Sequence, residues 1–75
     1  MQNKYYKDYK NLGMNIAFYR KLRGISQEKL SEMVNISRTH MSRIETADCA
    51  VSLDVVFALA DALQVELYKL FQNKE

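Results

Sequence analysis

The chain has 75 residues, a mass of 8.8 kDa and a formal net charge of +2 at pH 7. Its length predicts a single domain over residues 1–75, because a second core does not fit, and a hydrophobic content of 48 % excludes a disordered tail. No uncharged stretch approaches the roughly 18 residues of a membrane span, and no signal-peptide core is present, so we expect a cytoplasmic protein without membrane contact.

The first predicted element is a long helix. Proline is absent and glycine occurs only at positions 13 and 24, which predicts an all-α fold. The basic, Tyr/Lys-rich residues 1–10 form either an extension or the start of helix 1, and Gly13 in the interior of this helix would cost about 1 kcal/mol. The helix is expected to end at Gly24. Its apolar residues recur at spacings of three and four: Tyr5, Tyr9, Leu12, Ile16, Tyr19 and Leu22.

After helix 1, one short phrase occurs three times: an apolar residue, a serine, and a second apolar residue four positions beyond the serine. The serine side chain can accept a hydrogen bond from the first-turn amides, and the apolar pair can pack across the helix start. The phrase predicts helix starts at Ser26, Ser37 and Ser52. A final short helix near residues 67–72 brings the expected number to five.

Helices 2 and 3 are separated by a very tight turn. Only Asn35 and Ile36 lie between Val34 and Ser37, and asparagine tolerates the left-handed conformation that such a turn requires. Two short helices around this turn predict a helix-turn-helix. We expect its interior to contain Leu30, Val34, Ile36, Met41 and Ile44, supported by Ile16, Tyr19 and Leu22 from helix 1.

The exposed face of helix 3 is polar and basic. If Met41 and Ile44 face inward, four side chains project outward, with His40 near the edge. An α-helix fits the major groove of B-DNA, where arginine bonds guanine and threonine contacts bases or the thymine methyl group. The alternative is that the two arginines are only solvated. The candidate base-reading residues are Arg38, Thr39, Ser42 and Arg43.

The charge of the chain is polarised. Residues 1–45 carry nine Lys/Arg and four Asp/Glu, whereas residues 46–75 carry two and five. A basic half joined to an acidic half indicates that one face meets a polyanion while the other meets solvent or a second subunit. The charge distribution by itself identifies neither partner.

The sequence offers little for catalysis or metal binding. Cys49 and His40 are the only cysteine and histidine, which leaves no internal disulfide and no Cys/His zinc site. Cys49 has no histidine or cluster of bases near it in sequence, so neither a nucleophile nor a redox sensor is expected there. With no convergent catalytic set and no glycine-rich phosphate loop, we expect no enzyme, metal, cofactor or small-molecule ligand.

The ordered motifs over residues 12–71 resemble the lambda-repressor-like (Cro/XRE) family of helix-turn-helix transcriptional regulators. The resemblance implies a five-helix DNA-binding domain in which helix 3 enters the DNA. The motifs that carry it are Leu12-Gly13 with Ile16, Arg20, Ile25-Ser26-Gln27 with Leu30, Ile36-Ser37, Ile44-Glu45, Ser52-Leu53, and Ala60-Asp61-Ala62-Leu63-Gln64-Val65.

The resemblance also implies roles for single residues. Gln27 would open helix 2, contact phosphate and support the first base-reading side chain, while Arg38, Thr39 and Arg43 would read bases. Arg20 would pair with Glu45 at the end of helix 3 and fix the tilt of that helix. The alternative is a solvated salt bridge that contributes little to the stability of the fold. The residues expected to contact phosphate or to support the reading residues are Gln27, Ser37, His40 and Thr46, with solvation as the alternative for His40.

The chain departs from this family after Glu45. The family often has glycine and basic residues there, whereas residues 46–51 contain an acid and no lysine. Backbone amides at Thr46 or at the start of helix 4 are an alternative source of phosphate contacts. Lys4, Lys7 and Lys10 are another, unless they only solvate helix 1.

The sequence thus predicts a sequence-specific double-stranded DNA-binding regulator, a repressor that acts by occupancy as a dimer on an inverted repeat. An antitoxin or other protein-interaction module of the same fold is the alternative. The candidate dimer surface is apolar and lies near the C-terminus, unless its aliphatic residues and Phe71 complete the monomer core instead. It consists of Leu67, Tyr68, Leu70 and Phe71.

Overall fold

The computed structural model describes residues 3–73. These residues form four α-helices and one C-terminal turn of 3-10 helix, with no strand among them, and no helix of this part of the chain is long and apolar enough to cross a bilayer. The elements are α1 (Tyr6–Leu22), α2 (Gln27–Met33), α3 (Arg38–Glu45), α4 (Leu53–Leu63) and the 3-10 helix (Leu67–Leu70).

The all-α class is confirmed, and the fifth predicted helix is present as a single 3-10 turn, shorter than residues 67–72, rather than as an α-helix. The chain between Glu66 and Phe71 closes hydrogen bonds over three residues, from Lys69 N to the oxygen of Glu66 and from Phe71 N to that of Tyr68, both at 3.0 Å. Such spacing gives a 3-10 turn, which is rarely longer than four residues. At the other end, α1 begins at Tyr6, so residues 6–10 of the basic segment are helical, while residues 1 and 2 lie outside the described residues.

The three predicted serine caps are confirmed. Each serine has an extended backbone, and its hydroxyl accepts a hydrogen bond from the amide three residues later. These bonds satisfy one of the orphan amides of each helix start and fix where α2, α3 and α4 begin. The pairs are Ser26 with Lys29 and Ser37 with His40, both at 3.0 Å, and Ser52 with Val55 at 3.2 Å.

Each of the four α-helices is followed, one or two residues after its end, by a residue with left-handed backbone. In each case the amide of the following residue bonds back to a carbonyl of the last turn, as from Ile25 to Arg20 and from Val65 to Ala60. Asn35 was expected in this conformation, and Gly24 adopts it without strain. Ala47 and Gln64 also adopt it, although alanine and glutamine usually avoid this conformation. The φ angles are +70° at Gly24, +60° at Asn35, +59° at Ala47 and +57° at Gln64.

Gln64→Gly is expected to raise the free energy of unfolding by about 0.5–1 kcal/mol. Gln64 is exposed and holds φ at +57°, a conformation that costs an L-residue about 1–2 kcal/mol, and part of this gain is offset by the greater freedom of glycine in the unfolded chain. Urea denaturation measures the change. Asn35→Gly is the matched control and should have a smaller effect, because asparagine already tolerates the conformation; a less stable Gln64→Gly protein would contradict the prediction.

Side chains from the inward face of each helix pack into one hydrophobic cluster. Val34 and Ile36 of the helix 2 to helix 3 segment are half-buried against it, as is Cys49. The buried members are Leu12, Ile16, Tyr19, Leu30, Met41, Ile44, Val56, Leu59, Ala60, Leu63 and Leu70.

Leu22 was expected in this core, but its side chain is 62 % exposed. The next residue, Arg23, follows the last residue of α1 and is exposed as well. The Arg23 guanidinium reaches the end of α4 and donates to the carbonyl oxygens of Leu63 at 2.8 Å and Gln64 at 3.1 Å. A cation thereby satisfies carbonyl groups at the C-terminal end of α4.

The C-terminal turn is held to α1 by a buried amide. Asn15 is 1 % exposed, and its side-chain nitrogen donates to the carbonyl oxygens of Leu70 and Gln72, both at 2.8 Å. Asn11 adds a bond of 3.2 Å to the oxygen of Phe71. These bonds seat Leu70 in the core, where it is fully buried. Leu70 is therefore unavailable as part of a dimer surface, and its assignment to that surface is wrong.

The two helices α1 and α3 approach each other closely at Gly13. A Cβ atom built on Gly13 would lie 2.5 Å from the carbonyl oxygen of Ile44 and 2.7 Å from that of Glu45. Both contacts are to backbone atoms, which cannot turn aside as a flexible side chain can. The glycine that weakens α1 locally therefore allows this helix to lie directly on the C-terminal end of α3.

Candidate nucleic-acid interface

The two sides of α3 differ sharply in character. Met41 and Ile44 face inward and are at most 2 % exposed. Arg38, Thr39 and Arg43 are exposed, and Ser42 is half-buried among them. The four polar residues line one shallow depression together with Gln27 from the start of α2. The structure thus brings all four candidate base-reading residues to a single surface.

Glu45 joins three elements behind this surface. Its carboxylate accepts hydrogen bonds from Arg20 Nε at 2.7 Å and Arg20 Nη2 at 3.1 Å, a bidentate geometry. Gln27 Nε2 donates to the same carboxylate at 2.9 Å, and Arg20 Nη1 donates to the carbonyl oxygen of Ile25 at 2.9 Å. The side chains of Arg20 and Glu45 are only 11 % and 5 % exposed, so this is a largely buried pair rather than a solvated one.

The residues expected to support DNA contacts have different environments. Ser37 uses its hydroxyl to cap α3 through the amide of His40, whose side chain is half-buried. Gln27 bonds Glu45 and also lines the depression beside Arg38. Thr46 turns its hydroxyl back and donates to the carbonyl oxygen of Ser42 at 3.0 Å. The side chains of Ser37, Gln27 and Thr46 are therefore engaged in hydrogen bonds that fix the ends or the packing of α2 and α3.

The loop after α3 is acidic where it is exposed. Ala47 is buried, Asp48 is exposed and Cys49 packs partly against the core. Burial raises the pKa of the Cys49 thiol above its usual value, Arg43 opposes the rise, and Asp48 adds to it. The thiol form therefore dominates at neutral pH. Among residues 3–73, no group of three His, Cys, Asp or Glu side chains is arranged to hold a metal ion.

Three members of the candidate dimer surface remain exposed. Leu67, Tyr68 and Phe71 are 38 %, 58 % and 49 % exposed, in contrast to the buried Leu70. The structure adds Leu53 and Phe57, 64 % and 49 % exposed on one face of α4, which sequence analysis missed. Their spacing of four residues, outside the inward stripe of α4, was the available signal. Leu53 and Phe71 line one apolar groove of about 270 Å³.

The chain resembles known regulatory proteins in sequence and in fold. A family model described as helix-turn-helix (HTH_3) matches residues 16–70. The chain is 34 % identical over 63 residues to "Control protein C.SmaI" of Serratia marcescens, which covers 84 % of this chain and 75 % of that protein.

Solved structures give the same result. The crystal structure of the restriction-modification controller protein C.AhdI from Aeromonas hydrophila superposes with a TM-score of 0.85 at 30 % identity, over 92 % of this chain and all of that one. The hypothetical transcription factor NHTF from Neisseria superposes with a TM-score of 0.84 at 29 % identity, over 88 % of this chain and 76 % of that one. The chain therefore belongs to the HTH_3 family, the Cro/XRE-type helix-turn-helix proteins that bind DNA and regulate transcription.

Proposed function

We propose that this regulator reads a specific double-stranded DNA sequence by placing α3 in the major groove. The observation that carries the proposal is the single polar depression formed by Gln27 and the four outward residues of α3. Arg38 and Arg43 offer guanidinium groups to guanine acceptors, while Thr39 and Ser42 offer hydroxyl groups, and Thr39 also a methyl group, to neighbouring base edges. Gln27, Ser37, His40 and Thr46 would contact phosphates or support these side chains.

The regulator is further proposed to act as a homodimer on an inverted repeat. A chain of this size leaves a large share of its apolar surface exposed, and Leu67, Tyr68 and Phe71 form the candidate pairing surface, with Leu53 beside Phe71. In a two-fold dimer, two copies of α3 about 34 Å apart would enter successive major grooves on one face of the duplex. Occupancy of a promoter by this dimer would repress transcription without any chemical step.

Its target genes are proposed to be those of a restriction-modification system. This proposal is supported by sequence similarity to two proteins. C.AhdI, a restriction-modification controller protein, is 30 % identical to this chain, and C.SmaI, a control protein, is 34 % identical. The chain covers all of C.AhdI and 75 % of C.SmaI, so the likeness extends well beyond the helix-turn-helix. DNA upstream of such genes is the natural first target for binding assays.

Selection from random DNA duplexes should yield an inverted repeat with half-sites about one helical turn apart. Arg38→Ala and Arg43→Ala should each lose preference at particular base positions, with a cost of about 1–3 kcal/mol for each bidentate contact removed. Sequencing of the selected pools measures both effects. An unchanged pattern of preference in both variants would contradict base reading by α3.

Two further measurements serve as controls for base recognition and for dimer formation. Lys69→Ala removes a cation from the 3-10 helix, away from the depression, and should leave the base preferences unchanged. Sedimentation should give twice the monomer mass for the wild type, and a purely monomeric protein that selects single half-sites would contradict the dimer. An antitoxin role would instead require a stable complex with a toxin.

A further inference from the structure

The outer face of α1 carries a basic groove that the proposed reading surface does not use. Lys7, Lys10 and Lys21 line it at spacings that keep them on one side of the helix. Met14 and Phe18 lie between the lysines and are 59 % and 46 % exposed. This α1 groove, of about 590 Å³, is completed by Asn11, Asn15, Ala17, Glu45 and Asn73.

The α1 groove begins where the reading surface ends. Glu45 lines the groove and lies three residues beyond Ser42, on the next turn of the same helix. Gln27, which lines the reading depression, donates to the Glu45 carboxylate. The approach of α1 to α3 at Gly13 fixes this adjacency. The lysines therefore lie on a surface that borders the C-terminal end of α3.

The charge of the groove is not neutralised from within the described chain. Its one carboxylate, that of Glu45, is bound by Arg20 and Gln27. None of the three lysines forms an ion pair with a carboxylate of residues 3–73. Lys4 differs, because its ammonium group lies 5.7 Å from the centre of the Tyr5 ring and it does not line the groove. Three cations thus converge on a surface open to a polyanion.

We propose that the α1 groove binds the phosphodiester backbone of the same DNA, flanking the bases that α3 reads. Each ammonium group of Lys7, Lys10 and Lys21 pairs with a phosphate, while the lysine stems pack along Met14 and Phe18. The loop at residues 46–51 presents Asp48 and no cation, so α1 supplies charge that this loop does not. The inference rests on the proposed function and assigns it an additional set of phosphate contacts.

The salt dependence of binding tests this assignment. The probe is the duplex selected by the wild-type protein, titrated at several KCl concentrations by fluorescence anisotropy. The magnitude of the slope of log affinity against log salt should fall by about 0.9 per subunit for each lysine replaced, hence by about 2.7 per subunit, or about 5.4 for the dimer, in K7Q/K10Q/K21Q. Affinity should fall to a similar extent on selected and random duplexes, because phosphate contacts carry no sequence information.

Lys69→Gln is the matched control, since it removes one positive charge outside the groove and should leave the slope nearly unchanged. Thermal melting of the triple variant should match the wild type, which excludes loss of folding. An unchanged slope in a folded triple variant overturns the inference while leaving base reading intact, as it would if the groove instead received an acidic protein segment. A wild-type protein without any DNA preference would overturn the proposed function and this inference together.

Discussion

Replacing Arg20 by alanine is expected to lower the free energy of unfolding by about 3 kcal/mol, a large share of the stability of so small a domain. The substitution leaves the carboxylate of Glu45, 5 % exposed, with the neutral amide of Gln27 as its one remaining side-chain donor among residues 3–73. It also removes the donor to the carbonyl oxygen of Ile25. Thermal unfolding should show a fall in Tm of about 12 °C or more.

Variants at both ends of the pair locate the origin of this loss. Arg20→Lys keeps the charge without the bidentate fork and should fall between wild type and Arg20→Ala. In a double-mutant cycle with Glu45→Ala, the coupling energy should be about 1–3 kcal/mol. A wild-type melting temperature for Arg20→Ala would show that the pair contributes nothing to the fold.

Gly13→Ala is expected to destabilise the protein by about 2 kcal/mol even though alanine is the better helix former. The new Cβ would meet the carbonyl oxygens of Ile44 and Glu45 at distances that no Cβ tolerates, so α1 and α3 must move apart. At an unobstructed helical position the same exchange would stabilise by about 1 kcal/mol. The sign of the change, measured by urea denaturation, is therefore the test.

The same substitution should weaken DNA binding beyond its effect on folding. A shift of α3 against α1 changes how Glu45 meets Arg20 and Gln27, and with it the orientation of the outward side chains. Binding is measured by anisotropy at a temperature where circular dichroism shows the variant to be folded. Leu22→Gly is the control, since Leu22 is 62 % exposed and lies outside the α1 groove, and the change weakens α1 by about 1 kcal/mol without inserting an atom between the helices. Equal binding by the two variants would contradict an effect through helix spacing.

Sequence was most informative where local chemistry decides the structure. The caps Ser26, Ser37 and Ser52 mark the observed helix starts, because a hydroxyl that satisfies a first-turn amide acts within four residues. The inward positions Met41 and Ile44 followed from helical period, and they define which side of α3 faces outward. The outward residues of the candidate site were therefore predictable before any tertiary contact was known.

Prediction failed where a distant contact overrides the local pattern. Leu22 was predicted to be buried but is 62 % exposed, and the neighbouring Arg23 donates to carbonyl oxygens at the end of α4, a contact that nothing near Leu22 in sequence indicates. Leu70 is buried because Asn15, 55 residues earlier, holds the surrounding backbone. The left-handed conformation of Ala47 and Gln64 was likewise unpredictable, because neither residue is a glycine or an asparagine.

The division of α3 into a buried side and an outward side has an evolutionary consequence. Met41 and Ile44 anchor the helix from within, and Glu45 is gripped by residues of α1 and α2. On the proposed function, Arg38, Thr39, Ser42 and Arg43 can change after gene duplication without disturbing that framework. Duplicated copies of the gene then acquire different operators and no longer regulate one another's targets. Transfer of these four side chains to a relative would transfer the operator specificity with them.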